Sequence, residues 1–83
     1  MAFTYILLTV KGKYYIGSAE NLEKRIKQHE NGEVMSTKSA LPIMLVYKEY
    51  FHNRAEAQKK EYKIKSWKSR RLIESLIKKT KSE

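Results

Sequence analysis

The stretch Phe3-Thr4-Tyr5-Ile6-Leu7-Leu8-Thr9-Val10 is dominated by aromatic, β-branched and other apolar residues; Lys11-Gly12-Lys13 interrupts it, and Tyr14-Tyr15-Ile16-Gly17 resumes the same composition. This predicts a strand, a tight turn and a returning strand, a β-hairpin that opens the chain. The period then changes. Asn21 is a candidate N-cap, and Leu22, Ile26 and His29 recur at helical spacing until Asn31-Gly32 ends the helix. A polar loop over residues 34–40 carries Ser36-Thr37-Lys38-Ser39, and Leu41-Pro42 leads into a third strand from Ile43 to Phe51. Asn53-Arg54-Ala55-Glu56 is a variant capping box that opens a long helix to about Lys65. Ser66 or Ser69 is placed to cap a last helix whose apolar stripe is Leu72, Ile73, Leu76 and Ile77. The order ββαβαα predicts the α+β class, with a small three-stranded, mainly antiparallel sheet flanked by helices.

The chain has 83 residues, enough for one domain over 1–83 and one modest core. It contains no cysteine, which removes disulfides, thiolate nucleophiles and Cys-based zinc sites and fits a reducing compartment. The apolar run from Tyr5 to Val10 is too short to span a bilayer and lacks a small-residue cleavage site. A cytoplasmic protein without a membrane segment is expected.

Lysine and arginine number 18 against nine acids, a net charge of +9. The excess is uneven: residues 1–42 hold six basic and four acidic side chains, residues 43–83 twelve and five. Such a surface favours a polyanion, because neutralised phosphates release their counterions, and it makes nucleic acid the expected partner. A solvated Lys-rich surface is the plain alternative. Lys38 in the loop, with Lys59, Lys60, Lys63, Lys65, Lys68, Arg70 and Arg71 in the basic half, are the candidate nucleic-acid contacts. All nine acids are glutamate. Two-metal nucleases clamp their ions with several carboxylates, usually including Asp, so any metal here is expected to be one ion completed by water and phosphate.

Tyr5 and Tyr15 lie on facing strands, close enough across the short turn for their phenols to meet; taken alone, the pair is better explained by ordinary cross-strand aromatic packing. Gly17 hints that something approaches the backbone at that point. Arg25 and His29, four apart, share one side of the first helix and join a planar cationic fork to a group that exchanges protons near neutral pH. Lys24, Lys27 and Gln28 around them also permit a solvated helix flank. Glu61 sits about 40° from Ala57 and about 60° from Ile64 around the second helix, beside the stripe that should face the sheet; an ion pair with Lys65 is its structural alternative. No Gly-rich phosphate loop, HExxH motif or serine triad is present. His52 at a strand–helix junction and Trp67 at the end of the core read as structural.

Tyr5, Tyr15-Ile16-Gly17, Arg25, His29 and Glu61, in this order and spacing, resemble the GIY-YIG nuclease domain over nearly the whole chain. The loop Ser36-Thr37-Lys38 and the segment Ile64-Lys65-Ser66-Trp67-Lys68-Ser69-Arg70 are similar to those of the small standalone bacterial proteins of the UPF0213 type. The resemblance implies that Glu61 holds one Mg²⁺ or Mn²⁺ ion, that Arg25 binds the scissile phosphate, and that Tyr5 or Tyr15 orients and deprotonates the attacking water while the other phenol positions the phosphate. His29 belongs to the same implied catalytic set. Two departures stand out. Phe3-Thr4-Tyr5 keeps only the tyrosine of the first motif, and no Asn follows Glu61 where many members carry a supporting one. Standalone members lack a separate DNA-recognition domain, which implies low sequence specificity.

The lead expectation is therefore a metal-dependent endonuclease acting on DNA. A nucleic-acid-binding module that keeps the fold without turnover is the alternative, and a partner subunit docking through the last helix is a third reading.

Overall fold

The hairpin forms as its pattern requires. β1 (Ala2–Thr9) runs into a turn at Gly12, whose φ of +79° suits glycine, and β2 (Tyr14–Ala19) returns beside it. A computed structural model describes residues 1–81; Ser82 and Glu83 of the expected 1–83 unit lie outside the described residues. α1 (Leu22–Glu30) follows, then a short 3₁₀ turn (Lys38–Ala40), β3 (Ile43–Phe51), α2 (Arg54–Trp67) and α3 (Arg70–Lys81). The sheet order is β2-β1-β3, and both pairings are antiparallel.

The helix ends follow local chemistry. Asn21 Oδ1 accepts from Lys24 N at 3.0 Å and Asn53 Oδ1 from Glu56 N at 2.9 Å, each satisfying an orphan amide of the first turn. α2 runs two residues past the expected Lys65 and stops at Lys68, which takes the left-handed conformation at φ +48°. Ser69, of the two candidate caps, is the one that serves α3: its hydroxyl accepts from Leu72 N at 3.3 Å.

Strand alternation divides the structure into two faces. Thr4 and Ile6 point to one side, where Thr4 Oγ1 donates to the Ala57 carbonyl of α2 at 2.7 Å and Ile6 meets Ile16, Tyr47, Ile64, Ile73 and Ile77. This is the main core, with Trp67 and Leu76 closing it; each buried isoleucine contributes about 1.5–3 kcal/mol relative to exposure. Leu72 is 49% exposed and leaves the expected stripe of α3, which consists of Ile73, Leu76 and Ile77. Tyr5 and Leu7 point the other way, toward α1 and the loop before the 3₁₀ turn. The register brings Tyr5 opposite Gly17 and Leu7 opposite Tyr15, so both tyrosines share this second face. No helix among the described residues is long and apolar enough to cross a membrane.

Candidate active site at the hairpin and first helix

The second face of the sheet is where the chemistry-bearing side chains gather. Tyr5 is fully buried and its phenol lies against the backbone of Gly17. A Cβ at position 17 would meet Tyr5 Oη at 2.6 Å, so the object approaching this glycine is the chain's own tyrosine. Tyr15 comes from β2 to stand 6.4 Å from the Tyr5 ring, centroid to centroid, and is only partly buried. His29 packs edge-on against both rings, at 5.9 Å from Tyr5 and 5.0 Å from Tyr15.

His29 does not share a solvated flank with Arg25, as the four-residue spacing allowed. It is fully buried, and both ring nitrogens are engaged: Nε2 with Tyr5 Oη at 3.1 Å and Nδ1 with Thr37 Oγ1 at 2.7 Å. Burial, with the nearby Arg25 charge, lowers the imidazole pKa to about 4, so the ring is neutral at physiological pH. Arg25 keeps its head at the margin, where Nη1 donates to Gln28 Oε1 at 3.2 Å. Its guanidinium also stands against the phenols, and the Tyr5 phenol holds its pKa above the ordinary value. Burial pushes the Tyr5 phenol up, while the hydrogen-bonding guanidinium pulls it down and the charges of Tyr15 and Glu61 push it up again.

Glu61 belongs to the opposite face. Ser18, paired with Thr4 in the register, points toward α2 and donates to Glu61 Oε1 at 2.7 Å. Lys65 donates to Oε2 at 2.6 Å, and the carboxylate is only 13% exposed. Glu61 and the tyrosine–arginine cluster thus flank the edge strand β2 from its two sides. An open pocket near them is lined by Ser18, Glu20, Lys24, Arg25, Gln28 and Arg54 among others; it takes Arg25 from the cluster and Ser18, the partner of Glu61, while Glu61 and the tyrosines stand behind its lining. The larger groove, about 720 Å³, runs between α1 and the uncovered part of the sheet, along Phe3, Leu22, Ile26 and Leu45, and contains none of the candidate groups.

A divalent ion fits this donor set in one way only. Among the described residues no group of three or more His, Cys, Asp or Glu converges on a point. Glu61 is a lone carboxylate, so it suits one ion that keeps water and phosphate as its remaining ligands. Lys65, which is about half exposed, would have to release Oε2.

The basic candidates disperse. Lys60 pairs with Glu49 at 3.7 Å, Lys65 with Glu61, and Arg70 with Glu74 at 3.0 Å. Arg70 also donates to the Gly12 carbonyl and covers the Tyr14 ring at 4.8 Å, so it latches the hairpin turn to α3. Lys38, Lys59, Lys63, Lys68 and Arg71 are exposed. Lys24 and Arg54, which charge counting passed over, are the cations that join Arg25 around the pocket. Arg54 is the first residue of α2, and a candidate cap at Asn53 could have flagged it only once that helix start was known to meet the end of β2. Thr37 and Ser18 were also missed as site residues; alternation along β2 would have turned Ser18 away from Gly17, and the loop Ser36-Thr37-Lys38 stood out by resemblance without giving Thr37 a role.

The comparisons with known proteins agree with this fold. A family model described as the GIY-YIG catalytic domain matches residues 1–81. A UPF0213 protein of Staphylococcus saprophyticus is 42% identical over 66 residues, covering 78% of this chain and 80% of the relative. A UPF0213 protein of Clostridium perfringens is 47% identical over 66 residues, covering 78% and 71%. The solution NMR structure of a UPF0213 protein from Bacillus halodurans superposes with a TM-score of 0.61 at 34% identity, covering 94% of this chain and 84% of that one.

Proposed function

This chain belongs to the GIY-YIG family of catalytic domains, and from that premise we propose that it is a divalent-metal-dependent endonuclease that hydrolyses phosphodiester bonds in DNA with low sequence specificity. The observation that carries the reading is the convergence of Tyr5, Tyr15, His29 and Arg25 on one side of β2, with a nearly buried Glu61 on the other. Two phenols, a guanidinium and a carboxylate about the edge strand β2, with Arg25 lining the open pocket, supply the groups to hold a phosphate, orient a water and anchor a cation.

In this reading Arg25 holds the scissile phosphate and meets the charge that grows on its oxygens. Tyr15, the less buried phenol, receives a hydrogen bond from the attacking water and aligns it. Tyr5 is too enclosed to meet water first; it braces the Arg25 guanidinium from behind. His29 is neutral and holds Tyr5. Glu61 would hold Mg²⁺ or Mn²⁺, which when bound supplies charge neutralisation at the phosphate and at the leaving 3′ oxygen. Lys24 and Arg54 attract the flanking phosphates.

The test is cleavage of labelled duplex, nicked, branched and single-stranded DNA and RNA with Mg²⁺ or Mn²⁺, beside Glu61→Ala. Cutting by the wild type alone, with an unchanged fold in the variant, supports the enzyme. A second reading, binding without turnover, draws on the saturation of both Glu61 oxygens by Ser18 and Lys65. Salt-sensitive binding with no products on any substrate would favour it.

A further inference from the structure

We propose that Ser18 is a positioning residue for Glu61: its hydroxyl holds one carboxylate oxygen from the edge strand, so the carboxylate is already oriented when it exchanges the Lys65 ammonium for a divalent ion. The inference deepens the nuclease reading and rests on it for the ion, while the contact itself stands on geometry.

Chemistry fixes which partner donates. A carboxylate offers only acceptor oxygens, so the Ser18 hydroxyl gives its proton to the hydrogen bond with Glu61 Oε1, at 2.7 Å. Lys65, one helical turn on, donates to Oε2 at 2.6 Å. Each oxygen of Glu61 thus has one partner, one neutral and one cationic.

The two partners differ in what anchors them. Ser18 is partly buried on β2, opposite Thr4 in the register, and both hydroxyls reach α2 one turn apart. Thr4 Oγ1 donates to the Ala57 carbonyl at 2.7 Å, and Ser18 donates to the Glu61 side chain. The sheet therefore holds the helix by its backbone at one turn and by its carboxylate at the next. Lys65 comes from the same helix as Glu61, so it ties the carboxylate to nothing outside α2. Its side chain is 49% exposed against 13% for Glu61, and it ends a flexible stem that water readily takes up.

An arriving cation discriminates between these partners. It repels the ammonium and leaves the neutral hydroxyl its hydrogen bond, so Lys65 gives way and Ser18 stays. An ion that binds an unrestrained glutamate bears the entropy of ordering that side chain; here Ser18 has ordered it beforehand. Hydrogen-bond partners that orient a metal ligand typically change metal affinity by about ten- to a hundredfold. Ser18 also lines the open pocket together with Arg25, and its hydroxyl reaches Glu61 behind that lining. It is the residue through which the carboxylate is held in register with the guanidinium. Threonine preserves the hydroxyl at this position; alanine removes it.

The test is Mn²⁺ titration without nucleic acid, followed by the free-ion electron paramagnetic resonance signal, with thermal melts and cleavage in parallel. The proteins are wild type, Ser18→Ala, Ser18→Thr, Glu61→Gln, Lys65→Gln and the double variant of Ser18→Ala with Lys65→Gln. Ser18→Ala should bind Mn²⁺ about tenfold more weakly than wild type, and Ser18→Thr should restore the affinity. The same loss should appear when Ser18→Ala is added to Lys65→Gln. A packing role alone would lower the melting temperature and leave Mn²⁺ affinity unmoved, which overturns the proposal. Tighter binding by Ser18→Ala overturns it too, since the hydroxyl would then compete with the ion. So does a loss that vanishes in the Lys65→Gln background, a Ser18→Thr as weak as Ser18→Ala, or Mn²⁺ binding that persists in Glu61→Gln. Absence of cleavage by every protein, with the Mn²⁺ affinities ordered as expected, would sink the nuclease reading and leave the Ser18 contact standing.

Discussion

Tyr5 occupies the space that a side chain at Gly17 would need: a Cβ there would fall 2.6 Å from Oη and 2.7 Å from Cζ of the phenol. The glycine of the second motif is therefore fixed by the tyrosine of the first. The backbone at Gly17 does not have positive φ, so space and not chain conformation is the constraint.

Gly17→Ala should accordingly act on Tyr5. Because His29 and Arg25 hold the phenol from behind, the ring cannot swing away freely, and overpacking of this kind costs about 1–3 kcal/mol. Cleavage should fall by roughly ten- to a hundredfold, since displacement of a positioning group by a fraction of an ångström misaligns what it braces. Urea unfolding and single-turnover rates check the two effects. A variant with wild-type rates would show that the position of Tyr5 is immaterial.

The neutrality of His29 makes stability depend on pH. Its folded pKa of about 4 lies below the ordinary histidine value of 6.5. Between those values the unfolded chain binds a proton that the folded chain refuses, so stability falls as pH drops from 6.5 toward 4. The loss from this group is at most about 3 kcal/mol, and above pH 6.5 it contributes no slope. Thermal melts at pH 7.5 and 4.5 should show a smaller decrease in His29→Gln than in wild type. Equal decreases would mean that His29 is protonated in the folded protein.

Much of this was legible in the chain because it was written locally. The hairpin, the caps at Asn21, Asn53 and Ser69, and the third strand from Ile43 to Phe51 rest on short-range composition and geometry, and each lies where that chemistry puts it. The tyrosines were readable as neighbours because a short turn leaves few registers. The inward turn of His29 was legible only in part: its spacing joins it to the apolar Leu22 and Ile26 and equally to Arg25, and only the sheet and Thr37 from a distant loop decide which of the two is enclosed. Charge counting is blind to partners for a similar reason. Lys60 and Arg70 look like free cations in sequence, yet the fold gives them Glu49, Glu74, the Gly12 carbonyl and the Tyr14 ring.

Lys65 should restrain metal binding. Its ammonium lies 2.6 Å from Glu61 Oε2, where it offsets the charge that would attract a cation. Lys65 is 49% exposed, so solvent screening keeps the pair below about 1 kcal/mol, or up to about fivefold in a binding constant. Lys65→Gln should therefore bind Mn²⁺ a few-fold more tightly in the absence of nucleic acid, as read by the loss of the free-ion electron paramagnetic resonance signal. Glu61→Gln should abolish that binding. Binding that persists in Glu61→Gln would place the ion elsewhere.

The last prediction separates cations that are free to meet phosphate from those the fold has already used. Lys24 and Arg54 line the pocket beside Arg25 without a carboxylate partner among the described residues, whereas Lys60 is paired with Glu49 and largely covered. A phosphate contact releases condensed counterions, so removing one should flatten the plot of log affinity against log salt by about 0.7–0.9, according to strand number. Lys24→Ala and Arg54→Ala should each show a change of that size and weaken binding uniformly across sequences. Lys60→Ala should leave the slope almost unchanged, because its charge is already balanced within the protein. Fluorescence anisotropy from 50 to 200 mM salt gives the slopes. If Lys60→Ala alters the slope and Arg54→Ala does not, the nucleic acid lies along α2 and not at the mouth of the pocket.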